Sequence, residues 1–335
     1  MNTLVDMRDL WLYWISLIAR IAVPVDLAHD PRNSYGYVPT KSVCITFIIL
    51  FTLAAVIHTA QSFYWRMRWL LPTAALCGLS EVVGWSARLW SSINPLNKNA
   101  FIMQMSVTIM APTPLVAALF LCFELISERL GTQYGRLPPK WYSRIFLACD
   151  FISLNAQGIG GGLAGSADGD QHQLNLGSNI MLGGIVFQLA SISVFVALMV
   201  EYFIRYAADR PVRKSKSPSA AQSSFALCRG AIDAHMQLMV LGVCLDSLFL
   251  FIRSVYRTVE LVNGFDGPII QTQVYFNVLD GGMVVLAIYT LAILHPGWLL
   301  AGQKHPAYAC ESGIKESDSM HRKSLLMHSH SPYRD

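Results

Sequence analysis

The chain has 335 residues, 53% of them hydrophobic and only 14% charged, with a mean hydropathy of +0.42. Soluble domains carry about 25% charged residues, so this composition excludes an ordinary water-soluble domain and points to a membrane protein. The formal net charge of +4 is divided among loops, and no nucleic-acid partner is expected.

Residues 1–36 precede the first clear apolar span. The stretch 11–25, WLYWISLIARIAVPV, is apolar but short and interrupted by Arg20. The preceding Asp6-Met7-Arg8-Asp9 is not the basic start of a signal peptide. It reads as an interfacial helix lying on the outer face, with a short extra span as the alternative. Seven stretches then reach the roughly 20 residues that a helix needs to cross a bilayer. They lie at about 42–62, 69–90, 101–123, 144–165, 178–204, 236–258 and 277–300. Their unbroken apolar runs lack the alternation of barrel strands. Backbone facing lipid must satisfy its polar groups internally, so the spans are helices. The expected fold is an all-α polytopic integral membrane protein with seven transmembrane helices.

Lys and Arg collect in alternate connections. Arg66 and Arg68, then Arg129, Arg136 and Lys140, then Arg205, Arg210, Arg213, Lys214, Lys216 and Arg229 lie on one side, together with the tail after about 302. The opposite set has Lys98 alone in 91–100 and neither Lys nor Arg in 166–177 or 261–276. The positive-inside rule then places the tail in the cytoplasm and the N-terminus outside. The domain plan is an extracellular segment over 1–36, a seven-span domain over 37–302 and a disordered cytoplasmic tail over 303–335. The loop 205–235 is basic and Ser/Pro-rich and reads as a disordered linker. Of the seven cysteines, Cys44, Cys77, Cys122, Cys149 and Cys244 fall within spans, and Cys228 and Cys310 on the cytoplasmic side. No outer disulfide, no metal site and no cofactor is expected.

Charged and polar residues inside the spans carry the functional signal, because such residues are costly at bilayer depth. His58, near the inner end of the first span, reads as a hydrogen-bonded interfacial residue. The second span carries Glu81, Trp85 and Arg88 on one face. In the third, Pro112 and Pro114 remove two backbone donors and predict a kink, which either frees carbonyls to face a cavity or is a structural bend packed by its neighbours. The fourth has a stripe of Asp150, Ser153 and Gln157 running into Gly158, Gly160, Gly161 and Gly162. Those glycines permit either close helix approach or an unwound end lining a site. Gln188 stands in the otherwise apolar fifth span. The sixth carries Asp246 and then Arg253, Tyr256, Arg257 and Glu260, the last three charges on one face. The seventh begins with Asn277 and Asp280. At 1.5 Å of rise per residue, Glu81, Arg88, Arg253, Arg257, Glu260 and Asp280 fall in the outer half, and Asp150 and Asp246 deeper. Glu81 with Arg253, and Arg257 with Asp280, are the expected opposite-sign pairs.

These residues resemble the pattern of the fungal lipid-translocating exporter, or RTA-like, family. The resemblance rests on Tyr37-x-Pro39; Glu81-x-x-Gly84 with Arg88; Ala111-Pro112; and Asp150-x-x-Ser153-x-x-x-Gln157-x-x-Gly160. It continues with Gly183 and Gln188, Phe251-x-Arg253-x-x-Tyr256-Arg257-x-x-Glu260, Tyr275 to Asp280, and His295-Pro296. It covers about residues 35–300. The lead at 11–25 and the reading Tyr-Phe-Asn-Val-Leu-Asp at 275–280 depart from the pattern. The resemblance implies a seven-span fungal protein that exports or flips sphingoid long-chain bases or confers resistance to toxic amphipaths, and some relatives are linked to uptake or stress response; the expected location of the chain is the plasma membrane. The expected partners are the lipid bilayer and a membrane lipid or amphipathic small molecule. The expected substrate-binding or translocation residues are Glu81, Arg88, Asp150, Ser153, Gln157, Gln188, Arg253, Tyr256, Arg257, Glu260 and Asp280. Two other readings stay open: a seven-span receptor-like sensor, and an intramembrane enzyme using Asp150, Glu81 or Asp280 as acid or base. No hydrolase, kinase or metal motif supports the enzyme.

Overall fold

The computed structural model describes residues 35–167, 170–212, 232–262 and 269–300. Among the described residues the fold is helices and turns without a strand: α1 Lys41–Tyr64, α2 Arg68–Ile93, α3 Lys98–Leu130, α4 Pro139–Gly165, α5 Gln171–Ala207, α6 Ala234–Val262 and α7 Gln273–Leu300. The expected interfacial helix at 11–25, most of the basic linker and the tail lie outside the described residues.

All of these helices except α4 are long and apolar enough to cross a membrane. α4 has 27 residues, but Asp150, Ser153, Asn155, Gln157 and its glycines dilute its apolar character. Its polar stripe is turned inward, and Ile145, Phe151, Ile152 and Ile159 are exposed on the other side. α1 shows the same division. Ile45, Ile49, Leu53 and Val56, at helical spacing, form an exposed apolar stripe that water would not tolerate and lipid does. Cys44, Phe51, Ala54 and His58 lie on its buried side.

Each helix packs against the next in sequence, α7 returns to α1, and α3 also contacts α6. α3 is therefore the most enclosed helix and α1 the least. The closest pairing is α4 with α5. A Cβ on Gly177 would fall 2.4 Å from the Ala164 backbone nitrogen, and one on Gly160 would fall 2.5 Å from that of Met181. The glycines let the two backbones touch. α4 stays helical through Gly165, so of the two readings for this glycine run, close approach is the one realised.

One half of the bundle between α3, α4 and α5 is filled by rings. Phe120, Phe123, Phe146, Phe195 and Tyr202 meet edge-on or tilted, with Phe120 and Phe195 centroids 4.6 Å apart. His58 is fully buried, and its Nε2 donates to the Ile288 carbonyl at 2.9 Å, so the expected hydrogen bond is present.

Three departures from regular helix shape the other half. α3 is broken between Met110 and Thr113, at Ala111-Pro112. α2 opens with a 3-10 turn, Arg68–Leu70, followed by a π-helical turn, Leu71–Ala75, that contains Pro72. α7 contains a π-helical stretch, Phe276–Gly282. A π turn rotates the residues that follow it and is often found at functional sites. In α7 the stretch carries the buried Phe276, Asp280 and Gly281.

Candidate functional site

The site lies where α2, α3, α6 and α7 converge. Three arginines (Arg88, Arg253, Arg257) and three carboxylates (Glu81, Glu260, Asp280) are buried there together, so their formal charges cancel.

Arg257 is its centre. Its Nε and Nη2 donate to the two oxygens of Asp280 at 2.7 and 2.6 Å, a bidentate pair. Nη1 donates to Glu260 at 2.7 Å, and Nη2 also reaches Thr108 Oγ1 at 2.8 Å. Tyr256 donates its hydroxyl to the other Glu260 oxygen at 2.8 Å. Glu260 and Arg257 meet because three residues separate them on one helix. Such bidentate, charge-assisted contacts are the strong class of hydrogen bond.

Arg253 completes a chain of alternating charge. Its Nε lies 3.0 Å from Asp280. Its Nη2 donates to the backbone carbonyls of Thr108 at 2.7 Å and Ile109 at 3.3 Å. The cause is in the sequence of α3. Pro112 has no N–H, so the Thr108 carbonyl four residues earlier has no helical donor. The kink expected from Pro112 and Pro114 thus frees a carbonyl, and Arg253 occupies it.

Arg88 is handled differently. It donates to the Tyr37 hydroxyl at 2.7 Å and to Gln104 at 3.4 Å, and no carboxylate pairs with it. Aromatic faces surround it instead. Its guanidinium lies 4.2 Å from the Phe276 ring centre and 5.5–5.7 Å from those of Tyr35, Tyr37 and Trp85. Arg257 lies 5.0 Å from the same Phe276 ring. The ring is therefore shared by two cations, each attracted to the quadrupole of an aromatic face. Tyr35 and Tyr37 come from the segment before α1. Burial raises both phenols above their ordinary range, against the opposing pull of Arg88, so they remain neutral donors. The Tyr35 hydroxyl lies 2.9 Å from Gln104 and 3.1 Å from Ser91.

Of the two expected pairs, Arg257 with Asp280 forms and Glu81 with Arg253 does not. Thr108, Ile109 and Asp280 already hold the Arg253 guanidinium, and neither oxygen of the fully buried Glu81 meets a donor at hydrogen-bond geometry. The remaining expected residues grade away from the centre. Gln188 lines a small cavity with Ile109, Ile185, Arg253, Ser254 and Arg257. It accepts from Gln157 at 2.9 Å and donates to Thr113 at 3.3 Å, which ties α3, α4 and α5 together. Ser153 donates to the Cys149 carbonyl within α4 and takes no part in the network. Asp150 is buried, and neither of its oxygens has a hydrogen-bond partner. Asp246 is also buried, and its Oδ1 has no hydrogen-bond partner.

Gln104, Thr108, Phe276 and Tyr35 belong to the site without having been singled out. Gln104 and Thr108 carried a signal, since two polar residues four apart in an apolar span share a face. Phe276 stands four residues before Asp280 and so shares its face, the same kind of signal.

An all-α bundle with such a network buried among apolar, membrane-length helices is a multi-pass integral membrane protein. Its family follows from the sequence: the chain belongs to the RTA1 like protein family, whose model matches residues 74–303. The sphingoid long-chain base transporter RSB1 of Saccharomyces cerevisiae is 29% identical, over 83% of this chain and 78% of that protein. Protein RTA1 of the same yeast is 22% identical, over 81% of this chain and 87% of its own. Protoporphyrin uptake protein 1, also from that yeast, is 23% identical over 77% of this chain and 90% of its own. No solved structure matches the chain.

Proposed function

We propose that this protein is a transporter of amphipathic, lipid-like molecules, of which a sphingoid long-chain base is the leading cargo. The observation that carries the reading is the buried network of Arg253, Arg257, Glu260 and Asp280 beside a cavity. Intramembrane polar contacts average only about 0.6 kcal/mol each, so a network of this size is poorly explained by stability alone. It offers a cargo headgroup both signs of charge inside an apolar bundle whose exposed stripes face acyl chains. The relative named as a long-chain base transporter, aligned over most of both chains, supports the cargo class.

On this reading Glu81, Arg88, Gln188, Arg253, Tyr256, Arg257, Glu260 and Asp280 serve headgroup binding or translocation. Gln157, Ser153 and Asp150 line the neighbouring α4 face. The seven-helix topology, with an outside N-terminus and a cytoplasmic tail, residence in the plasma membrane, flipping between leaflets and resistance to toxic amphipaths belong to the same proposal. The protein makes and breaks no covalent bond in this role and is not an enzyme.

The test is flux. Purified protein in vesicles is given a fluorescent sphingoid base in one leaflet, and its appearance in the other is followed by quenching. Transfer faster than in protein-free vesicles, lost in Arg257→Gln, is the expected result. Equal transfer with and without protein defeats the proposal.

A further inference from the structure

Glu81 is the charged group that the network leaves over. Asp280 accepts two hydrogen bonds from Arg257 and makes an ion-pair contact with Arg253 Nε; Glu260 accepts from Arg257 and Tyr256. Glu81 is 0% exposed, and both of its oxygens lack a hydrogen-bond partner. Trp85 Nε1, one turn along the same face of α2, lies close enough to Glu81 for a weak contact but meets no partner at hydrogen-bond geometry. A buried carboxylate without a donor is costly, and a chain that needed only packing here would place an apolar residue.

The surroundings point to the sign of the missing partner. One turn from Glu81, Trp85 stacks on Phe47 at 4.0 Å between centroids and meets Phe276 at 5.5 Å, and Arg88 lies against the Trp85 and Phe276 rings. Gly281 makes room for them, since a Cβ there would come within 2.5 Å of Trp85 and 3.0 Å of Phe47. A carboxylate bordered by aromatic faces is the chemistry that recognises an ammonium group. An anion would have to displace Asp280 or Glu260 from Arg257, whereas a cation finds Glu81 unengaged. Arg253 gives nothing up when Glu81 takes another partner, because Asp280 and two carbonyls already hold it. Arg253 also borders the cavity, whose other lining residues are Ile109, Ile185, Gln188, Ser254 and Arg257; Glu81 lies behind Arg253 and does not itself line it.

We propose that Glu81 is the residue that recognises the amine of the cargo: a primary ammonium headgroup docks on its carboxylate beside Trp85. This deepens the transport reading and rests on it for the identity of the cargo.

The test compares sphinganine, a long-chain primary amine, with its N-acetyl derivative, which has the same chain and no charge. Binding to the full-length protein in lipid nanodiscs is measured for the wild type, Glu81→Gln and Asp246→Asn. A lost charge-assisted hydrogen bond is expected to weaken sphinganine binding about ten- to a hundredfold in Glu81→Gln, with the N-acetyl compound and Asp246→Asn unchanged. Equal loss of both ligands in Glu81→Gln, or no loss of either, overturns the proposal. A second measurement needs no variant: the wild type is labelled with a hydrophobic carbodiimide and the Glu81 peptide is quantified by mass spectrometry. Sphinganine should protect Glu81 and the N-acetyl compound should not; equal protection, or none, overturns it. Flux separates the two readings. Selective sphinganine binding at Glu81 without flux would remove the transporter and keep the ammonium site, whereas flux that Glu81→Gln leaves unchanged would do the reverse.

Discussion

Asp280→Asn removes the charge from the carboxylate on which both network arginines converge. The change is nearly isosteric, so it acts through charge and hydrogen bonding. Asp280 is fully buried and takes contacts at 2.6, 2.7 and 3.0 Å from Arg257 and Arg253. In asparagine one of those oxygens becomes an NH2 group that faces a guanidinium N–H. Glu260 then remains the sole carboxylate paired with Arg257, and Arg253 keeps only its carbonyls. Breaking a buried pair from one side costs about 3–5 kcal/mol in water-soluble proteins. Intramembrane contacts are weaker, averaging about 0.6 and reaching about 1.7 kcal/mol. With two cations affected, the expected loss is about 2–4 kcal/mol, between these limits. At about 2.1 cal/mol/K of unfolding entropy per residue, each kcal/mol shifts Tm of this 335-residue chain by about 1.4 °C, so the midpoint should fall by about 3–6 °C. The assay is thermal unfolding in nanodiscs, followed by intrinsic fluorescence, run as a double-mutant cycle with Arg257→Gln. The double variant should be destabilised by less than the sum of the singles, with a coupling of about 1–3 kcal/mol. A Tm for Asp280→Asn within error of the wild type, or strict additivity in the cycle, would refute the ion-pair reasoning.

Other perturbations test separate parts of the structure. Gly177→Ala should separate α4 from α5 and cost about 1–3 kcal/mol, as overpacking does; Gly183→Ala, where a Cβ meets nothing within 4 Å, should leave Tm unchanged. Pro112→Ala returns a donor to the Thr108 carbonyl and so competes with Arg253; flux should fall while Tm holds or rises, and unchanged flux would show that the freed carbonyl is incidental. Arg253→Ala or Glu260→Ala should reduce flux by about tenfold or more, the worth of a charge-assisted hydrogen bond, whereas Asp246→Ala should not. Equal tolerance of all three would remove the network from the transport path.

Much of the site can be read from spacing within single helices. Arg257 and Glu260 are three residues apart on α6, and that local geometry survives folding as a 2.7 Å contact. Pro112 announces a carbonyl without a donor, and the carbonyl is found with one borrowed from α6. Partnerships between helices are less legible. Arg253 was expected to meet Glu81 and meets Asp280, because its guanidinium is fixed by α3 and because Asp280 stands buried within the π-helical stretch of α7. Asp150, Ser153 and Gln157 form one stripe in the sequence, yet Gln157 is linked through Gln188 to the cavity while Asp150 and Ser153 are not.

Composition and periodicity by themselves determine that this chain lives in a membrane, where its helices run and which polar residues are buried in them. The reason is that lipid leaves an apolar run of this length one backbone solution, the helix, and gives isolated charges no other refuge than the interior. Tertiary structure alone decides which carboxylate serves which arginine. That choice depends on how far each helix is rotated about its axis, and the break at Pro112, the π turn in α7 and the contact between the α4 and α5 glycines set those rotations. Those same rotations leave Glu81, whose helix face any reading of α2 reveals, as the one carboxylate of the site without an arginine of its own.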